Sequence, residues 1–379
     1  MDEPSPQIVP DFTPVNLISG FLGSGKTTLL KRMLASPALA DTAVLINEFG
    51  EVGLDHELIE RVDENTVLLQ SGCLCCTIRG ELAEAIKSLH SRRARGEIPV
   101  YRRLMIESTG LADPLPILTT ITAEPALRHH YRLGLVVATV DAVNGMGHLD
   151  RQPESLKQAA VADRLVVTKT DIADSAATAD LVARLRRLNP SAPVRFAKDE
   201  NLDPEELIGR DLFDIATKSR EVMRWFEEEA VGIDDGDHLQ GRGQDHRHEH
   251  AHRHDRNRHG DDIRAFSFVF EEPIDWTAFG LWLSALLNRH GEAILRVKGI
   301  LSIAGERAPV AINGVQQLVH APTHLAGWPS GDRRTRIVFI CKGLEEAPIR
   351  RSFSAFVLKV KAYPISDFTM APDFATVTR

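Results

Sequence analysis

"VNLISGFLGSGKTTLL", residues 15 to 30, decides how the rest of the chain is read. Val15 to Gly20 is a short apolar run of β type, the pattern turns helical after Lys26, and Gly20, Gly23 and Gly25 fall in between. A strand, a glycine loop and a helix in that order are the context in which G-x-x-x-x-G-K-[ST], matched by Gly20 to Thr27, reads as a phosphate-binding loop. Glycines let the backbone curl until successive N–H groups face a phosphate chain, and the following helix adds the positive end of its dipole. Lys26 is then expected to reach the β- and γ-phosphates, with the Thr27 hydroxyl as a ligand of Mg²⁺.

Outward from this loop, further β-type runs occur at 42–50, 66–70, 103–108, 133–141, 164–171 and 192–197, with helix-compatible segments such as 81–96 and 179–189 between them. Alternation of that kind predicts an α/β P-loop NTPase domain with a mainly parallel sheet covered on both faces. The pattern stops near residue 220, and residues 232–262 are Asp, Gly, Arg and His with almost nothing apolar to bury, which reads as a linker. Strand-like runs and one helical segment, 276–291, then predict a smaller C-terminal α+β domain. The expected division is a flexible start (1–13), the P-loop domain (14–222), a His-rich linker (223–262), the C-terminal domain (263–365) and a flexible tail (366–379).

The chain has 379 residues, 43% of them hydrophobic, enough core for two domains. A net charge of −8 offers no electrostatic footprint for nucleic acid or an anionic membrane. No secretory signal pattern opens the chain, and no apolar run reaches the roughly 18 residues a membrane span needs, so a cytoplasmic protein is expected.

Three of the four cysteines, Cys73, Cys75 and Cys76, sit in "SGCLCC" at 71–76, and the fourth is Cys341. In a reducing cytosol such a cluster points to metal ligation or redox work rather than a disulfide. Thiolates bind Zn²⁺ tetrahedrally, and three of them leave a fourth position open, which suits transfer better than permanent structure. A redox pair with a spare cysteine, or buried thiols acting as small hydrophobes, are the competing readings.

Two strand ends complete the nucleotide reading. In "IESTG", 106–110, the Glu107 carboxylate is placed to hold Mg²⁺ through water and the Gly110 N–H to meet the γ-phosphate, with Asp113 just downstream. In "TKTD", 168–171, the Asp171 carboxylate can accept from the ring N–H and amine of guanine, which adenine lacks, while the Lys169 stem covers the base. GTP is favoured over ATP.

Taken together, "GFLGSGKTTLL", "NEFGEVGLDHEL", "SGCLCC", "ESTGLADP", "TKTD", a His-rich linker and a domain ending "RIVFICKG" resemble the CobW family of P-loop GTPases across roughly residues 14–360. The resemblance implies a GTP-hydrolysing metallochaperone that delivers Zn²⁺, or Co²⁺, to a client metalloprotein. It implies nucleotide and Mg²⁺ contacts from Gly20, Gly23, Ser24, Gly25, Lys26, Thr27, Thr28 and Gly110, an acidic Glu107, and base contacts from Thr168, Lys169 and Asp171. Metal would be held by Cys73, Cys75 and Cys76 with Glu51 as an extra ligand. One departure is Thr168, which stands where the usual guanine motif has Asn; loss of that amide is expected to unlink the base loop from the phosphate loop. The alternatives are a cobalt-handling protein of cobalamin synthesis, a metal-hydrolase activator, and a zinc buffer without enzymatic activity.

His246, His248, His250, His252, His254 and His259, with His238 before them, form either a metal-collecting tract or a solvated linker. Trp276, Phe279 and Trp282 recur at helical spacing and read as core or as part of a partner surface.

Overall fold

The computed structural model describes residues 12–46, 67–70, 78–200, 202–208, 263–328 and 331–358. Seven strands, β1 (Thr13–Gly20), β2 (Thr42–Ile46), β3 (Val67–Gln70), β4 (Arg103–Glu107), β5 (Tyr131–Asp141), β6 (Arg164–Thr168) and β7 (Val194–Phe196), form one sheet in the order β3-β2-β4-β1-β5-β6-β7. Every pairing is parallel.

Adjacent strand residues face opposite sides. Leu17, Leu45 and Ile106 join one buried cluster, while their neighbours Ile18, Val44 and Met105 join another. Apolar side chains are therefore needed at consecutive positions, which is why these strands read as unbroken apolar runs rather than alternating ones. The second cluster is closed by Leu29, Leu30 and Met33 of α1 (Lys26–Leu34). The first is closed by α2 (Ile78–Ala94), α3 (Pro114–Ala123), α4 (Gly145–Arg151), α5 (Pro153–Val161) and α6 (Ser175–Leu188). A short α7 (Pro204–Ile208) packs beside the second cluster.

The C-terminal part is an antiparallel sheet of β8 (Ile263–Phe270), β9 (Ile294–Leu301), β10 (Val310–Val315), β11 (Leu318–Val319) and β13 (Thr335–Lys342), ordered β11-β10-β9-β13-β8, with β12 (Thr323–His324) on β10. Helix α8 (Trp276–His290) covers it, burying Phe279 and Trp282 and leaving Trp276 41% exposed. A second helix, α9 (Glu346–Phe353), was not foreseen in the sequence. Eight residues with a proline in the first turn offer too few turns for a periodicity, although Glu345 and Glu346 at its start and Arg350 and Arg351 near its end complement the helix dipole. Its anchor is Phe353, whose ring stacks on Phe270 at 4.2 Å and meets Trp282 edge-on at 4.9 Å.

The two sheets meet at a closed seam. Ile263, Leu295, Val315 and Ile340 of the C-terminal sheet belong to the first cluster of the parallel domain. Beside them the Arg296 guanidinium, 1% exposed, donates to the carboxylate of Asp163 and to the Val161 carbonyl at the end of α5. Lys298 stands 3.2 Å from the same carboxylate, whose other oxygen accepts from the Val136 N–H at 3.0 Å. Among the described residues no helix is long and apolar enough to cross a membrane.

Candidate functional site

In a parallel sheet, ligands bind beyond the carboxyl ends of the strands, where neighbouring connections leave for opposite faces. Here that point is β1, flanked by β4 and β5. The loop after it opens a cavity of about 390 Å³ lined by Leu22, Gly23, Gly25, Lys26, Thr27, Thr28, Glu107, Ser108, Thr109, Gly110 and Lys169.

Local chemistry shapes the loop. Gly20, Gly23 and Gly25 have φ of 138°, 69° and 87°, a region closed to most side chains. A Cβ on Gly20 would sit 2.3 Å from the Thr139 hydroxyl, so β5 holds the loop closely from below. Ser24 does not line the cavity; its hydroxyl bonds Thr139 at 2.6 Å and is buried. Its role is to pin the loop to β5.

Lys26 is bent back, donating to the Phe21 carbonyl at 3.2 Å. The Thr27 hydroxyl donates to the Glu107 carboxylate at 2.6 Å, bringing a β1-loop residue and a β4-end residue to one spot. A hydroxyl and a carboxylate side by side are hard oxygen donors, the set Mg²⁺ takes when it also keeps waters and phosphate oxygens. Those two residues fit a Mg²⁺ ion. Gly110 packs so closely on the loop that a Cβ there would lie 2.5 Å from the Leu22 nitrogen, which only glycine permits.

Thr168 corrects the expectation drawn from its replacing Asn. Its hydroxyl donates to the Ser24 carbonyl at 2.7 Å, so the link between base loop and phosphate loop is kept by a shorter side chain. Lys169 adopts φ 57°, a conformation costing a non-glycine residue about 1–2 kcal/mol. Its ammonium is held 2.7 Å from Asp141, a buried residue at the end of β5. Burial alone would raise the Asp141 carboxyl, but hydrogen bonds from Lys169, Asn144 and the Val143 N–H hold it below its ordinary range.

Asp171 lies outside the cavity lining and pairs with Lys198 at 2.9 Å, which lowers its carboxyl. Lys198 was not singled out in the sequence, nor was Arg32 of α1, which donates to the carbonyls of Ala197 and, at 2.7 Å, of Asp199. Arg32 thus brackets Lys198 from both sides. A lysine two residues past the last strand of the sheet was the available signal. Asp113 caps α3, accepting from the Leu115 N–H at 3.0 Å, and pairs with Lys157 at 2.5 Å.

Cys73, Cys75, Cys76, Glu51 and the histidines of the linker lie outside the described residues, within which no cluster of three metal-ligating side chains occurs. The strands still locate the root of the cysteine segment. At the ends of β3, β2 and β4, Ile46 is paired with Gln70 on one side and with Glu107 on the other. At about 4.8 Å per strand, Gln70 ends roughly 10 Å from Glu107 on the cavity edge of the sheet. Cys341, by contrast, is fully buried in β13, and burial pushes its thiol up to about 12.

Comparison with known proteins agrees with this geometry. Residues 14–196 match the CobW/HypB/UreG nucleotide-binding domain and residues 263–357 the cobalamin synthesis protein cobW C-terminal domain. The zinc chaperone YjiA of Escherichia coli is 33% identical over 344 residues, covering 90% of this chain and 97% of that protein. The zinc chaperone CobW of Pseudomonas aeruginosa is 29% identical over 361 residues, 89% of each chain. A zinc-regulated GTPase metalloprotein activator of Schizosaccharomyces pombe is 32% identical over 191 residues, 48% of this chain and 45% of that one. The crystal structure of Zn(II)-bound YjiA GTPase superposes with a TM-score of 0.65 at 29% identity, covering 91% of this chain and 99% of that one. A P-loop domain on a parallel sheet, joined to an antiparallel C-terminal domain and matched along nearly its whole length by the Escherichia coli and Pseudomonas aeruginosa relatives, makes this chain a member of the CobW family.

Proposed function

We propose that this protein binds and hydrolyses GTP and uses the cycle to hand a zinc ion, held by Cys73, Cys75 and Cys76 with Glu51 as a further ligand, to a client metalloprotein. The observation that carries the reading is the shared strand edge: Gln70, three residues before Cys73, is in register with Ile46 and Glu107 at the mouth of the nucleotide cavity. Both the proposed cargo site and the proposed γ-phosphate site hang on one sheet edge. The names of the relatives, zinc chaperones and a zinc-regulated GTPase, support zinc over cobalt.

Each side chain has a task in this reading. Lys26 leaves the Phe21 carbonyl for the β- and γ-phosphates, and Thr27 and Glu107 hold Mg²⁺, which when bound offsets charge on the phosphate oxygens. The Gly110 N–H is placed for the γ-phosphate. Asp171 leaves Lys198 to accept the guanine N–H groups, and Lys169 covers the base. The proposed setting is the cytosol, where thiols stay reduced.

Magnitudes decide how release works. Zinc held by thiolates in small peptides contributes about 10–16 kcal/mol, whereas coupling between two sites is about 1–3 kcal/mol. Hydrolysis therefore loosens the ion, and the client's own ligands complete its transfer. Zinc affinity measured by chelator competition is expected to differ between the GTP-analogue and GDP forms by about fivefold or more. Equal affinities would sink the coupling.

A further inference from the structure

Helix α5 touches both ends of the molecule's working parts. Toward the nucleotide cavity, the Gln158 amide nitrogen donates to the Gly110 carbonyl at 3.1 Å and to the Ala112 carbonyl at 3.0 Å, bracketing Leu111. Lys157, one residue earlier, holds Asp113 at 2.5 Å. The whole stretch from the γ-phosphate position to the start of α3 is thus fastened to two consecutive residues of α5. Within the next turn, at the C-terminal end of α5, Arg296 of the C-terminal sheet takes the Val161 carbonyl, and Asn189, itself fully buried, donates to the carbonyls of Ala159, Ala160 and Ala162 at 2.9, 3.1 and 2.9 Å. The carbonyls of Ala159, Ala160 and Val161, which a helix end normally leaves to water, are taken by protein here. A helix so gripped moves as one piece.

Gln158 carries a further sign. It is 1% exposed, and its amide orientation is fixed because both partners are carbonyls, which accept only from the nitrogen. Its Oε1 is buried with no hydrogen-bond partner among the described residues. A buried acceptor left unmatched is unfavourable, and in native proteins it calls for an explanation. The Gly110 and Leu111 N–H groups belong to the same segment as the two carbonyls that Gln158 holds, while the Ala112 N–H is already given to the Thr109 carbonyl at 3.1 Å. One arrangement satisfies the donors of Gln158, and a second would satisfy its acceptor.

We propose that α5 is the strut that couples the γ-phosphate side of the cavity to the C-terminal domain, with Gln158 as the positioning residue that exchanges partners on the 110–112 segment when the γ-phosphate arrives. This rests on the GTPase reading above. The segment, the helix and the Asp163–Arg296–Lys298 seam then form one mechanical unit, so that a partner engaging the C-terminal domain alters turnover and nucleotide state alters the seam.

The test uses the full-length protein with Gln158→Leu, Lys298→Met and the double variant, measuring GTP turnover together with GDP affinity. Gln158→Leu is expected to lower kcat about fivefold or more with GDP affinity within about twofold, since GDP lacks the group the segment answers to. Lys298→Met, remote from the cavity, is expected to change kcat when introduced into the wild type and to have no effect when added to Gln158→Leu. Unchanged kcat in Gln158→Leu, or equal effects of the seam variant in both backgrounds, overturns the strut. Should Gln158→Leu fail to bind GDP, hydrogen exchange of the wild type decides: a GTP analogue, compared with GDP, is expected to slow exchange at both 108–116 and 294–300. Protection confined to 108–116 overturns the proposal. Wild-type protein with no GTP turnover and no guanine binding loses the GTPase reading and the strut with it, whereas active wild type with indifferent variants loses the strut alone.

Discussion

Two ionic clusters use the same side chains to opposite ends. At the cavity, Lys198–Asp171 and Lys169–Asp141 each leave a lysine more than a third exposed, and Lys198 is 61% exposed. At the seam, Arg296 and Asp163 are 1% and 6% exposed at the side chain, and Lys298 16%. Ion pairs open to water contribute about 0–1 kcal/mol and can be broken cheaply when a ligand offers a better partner. Removing one member of a buried pair strands its partner's charge and costs about 3–5 kcal/mol. The Lys198–Asp171 pair is built to be exchanged, and the seam is built to stay shut.

Breaking the seam should therefore have the largest effect. Asp163→Asn is expected to destabilise the protein by about 3–5 kcal/mol in denaturant titration, leaving the buried Arg296 and the partly buried Lys298 without their carboxylate. A change under about 1 kcal/mol would place the seam with the surface pairs.

At the cavity, the effect should appear as specificity rather than stability. Asp171→Asn is expected to lower GTP affinity at least about tenfold, because hydrogen bonds to a charged acceptor contribute about 1.5–3 kcal/mol each. The same variant should gain xanthosine triphosphate, whose ring carbonyl can accept from the new amide. Unfolding free energy should hardly move. An intact guanine preference would remove Asp171 from the base site.

Thr168→Val deletes the donor to the Ser24 carbonyl at nearly constant volume. GTP affinity is expected to fall about threefold to tenfold, the worth of one neutral hydrogen bond. No change would mean that packing alone joins the two loops.

The smallest effect is a slope in pH. Burial first, and the neighbouring Arg296 charge second, hold the Lys298 ammonium down to about 8 from an ordinary 10.5. Between those values the unfolded chain binds the extra proton, so stability rises with pH from about 8 to about 10.5, and the full penalty for charging Lys298 is present below that window. Burial pushes the Asp163 carboxyl up, but the charges of Arg296 and Lys298 outweigh it and leave the group depressed, so its contribution is present above about pH 4 and fades in acid. Lys298→Met should flatten the alkaline slope relative to wild type in matched unfolding curves. Identical slopes would show that Lys298 keeps an ordinary proton affinity.

The cavity was largely legible in the sequence because its parts are local. A glycine loop between a strand and a helix, and carboxylates at strand ends, report their own surroundings, and Lys26, Thr27, Glu107 and Gly110 come together around one cavity. The seam was invisible because Asp163 and Arg296 are 133 residues apart and each alone looks like a surface charge. Gln158 hid for the same reason, its partner Gly110 lying 48 residues away. Thr168 was misjudged because a threonine hydroxyl was not credited with the reach of an asparagine amide; the close approach of Gly25, whose Cβ would meet Thr168 at 3.4 Å, makes the shorter side chain sufficient.

The most direct test of the central claim is GTP turnover with Mg²⁺ alone and then with added Zn²⁺, in wild type and in Cys75→Ala. The account predicts that zinc changes the turnover of the wild type and that Cys75→Ala abolishes the response while keeping the zinc-free rate. Turnover indifferent to zinc in both proteins would contradict it, leaving the cysteines as a carrying site uncoupled from hydrolysis.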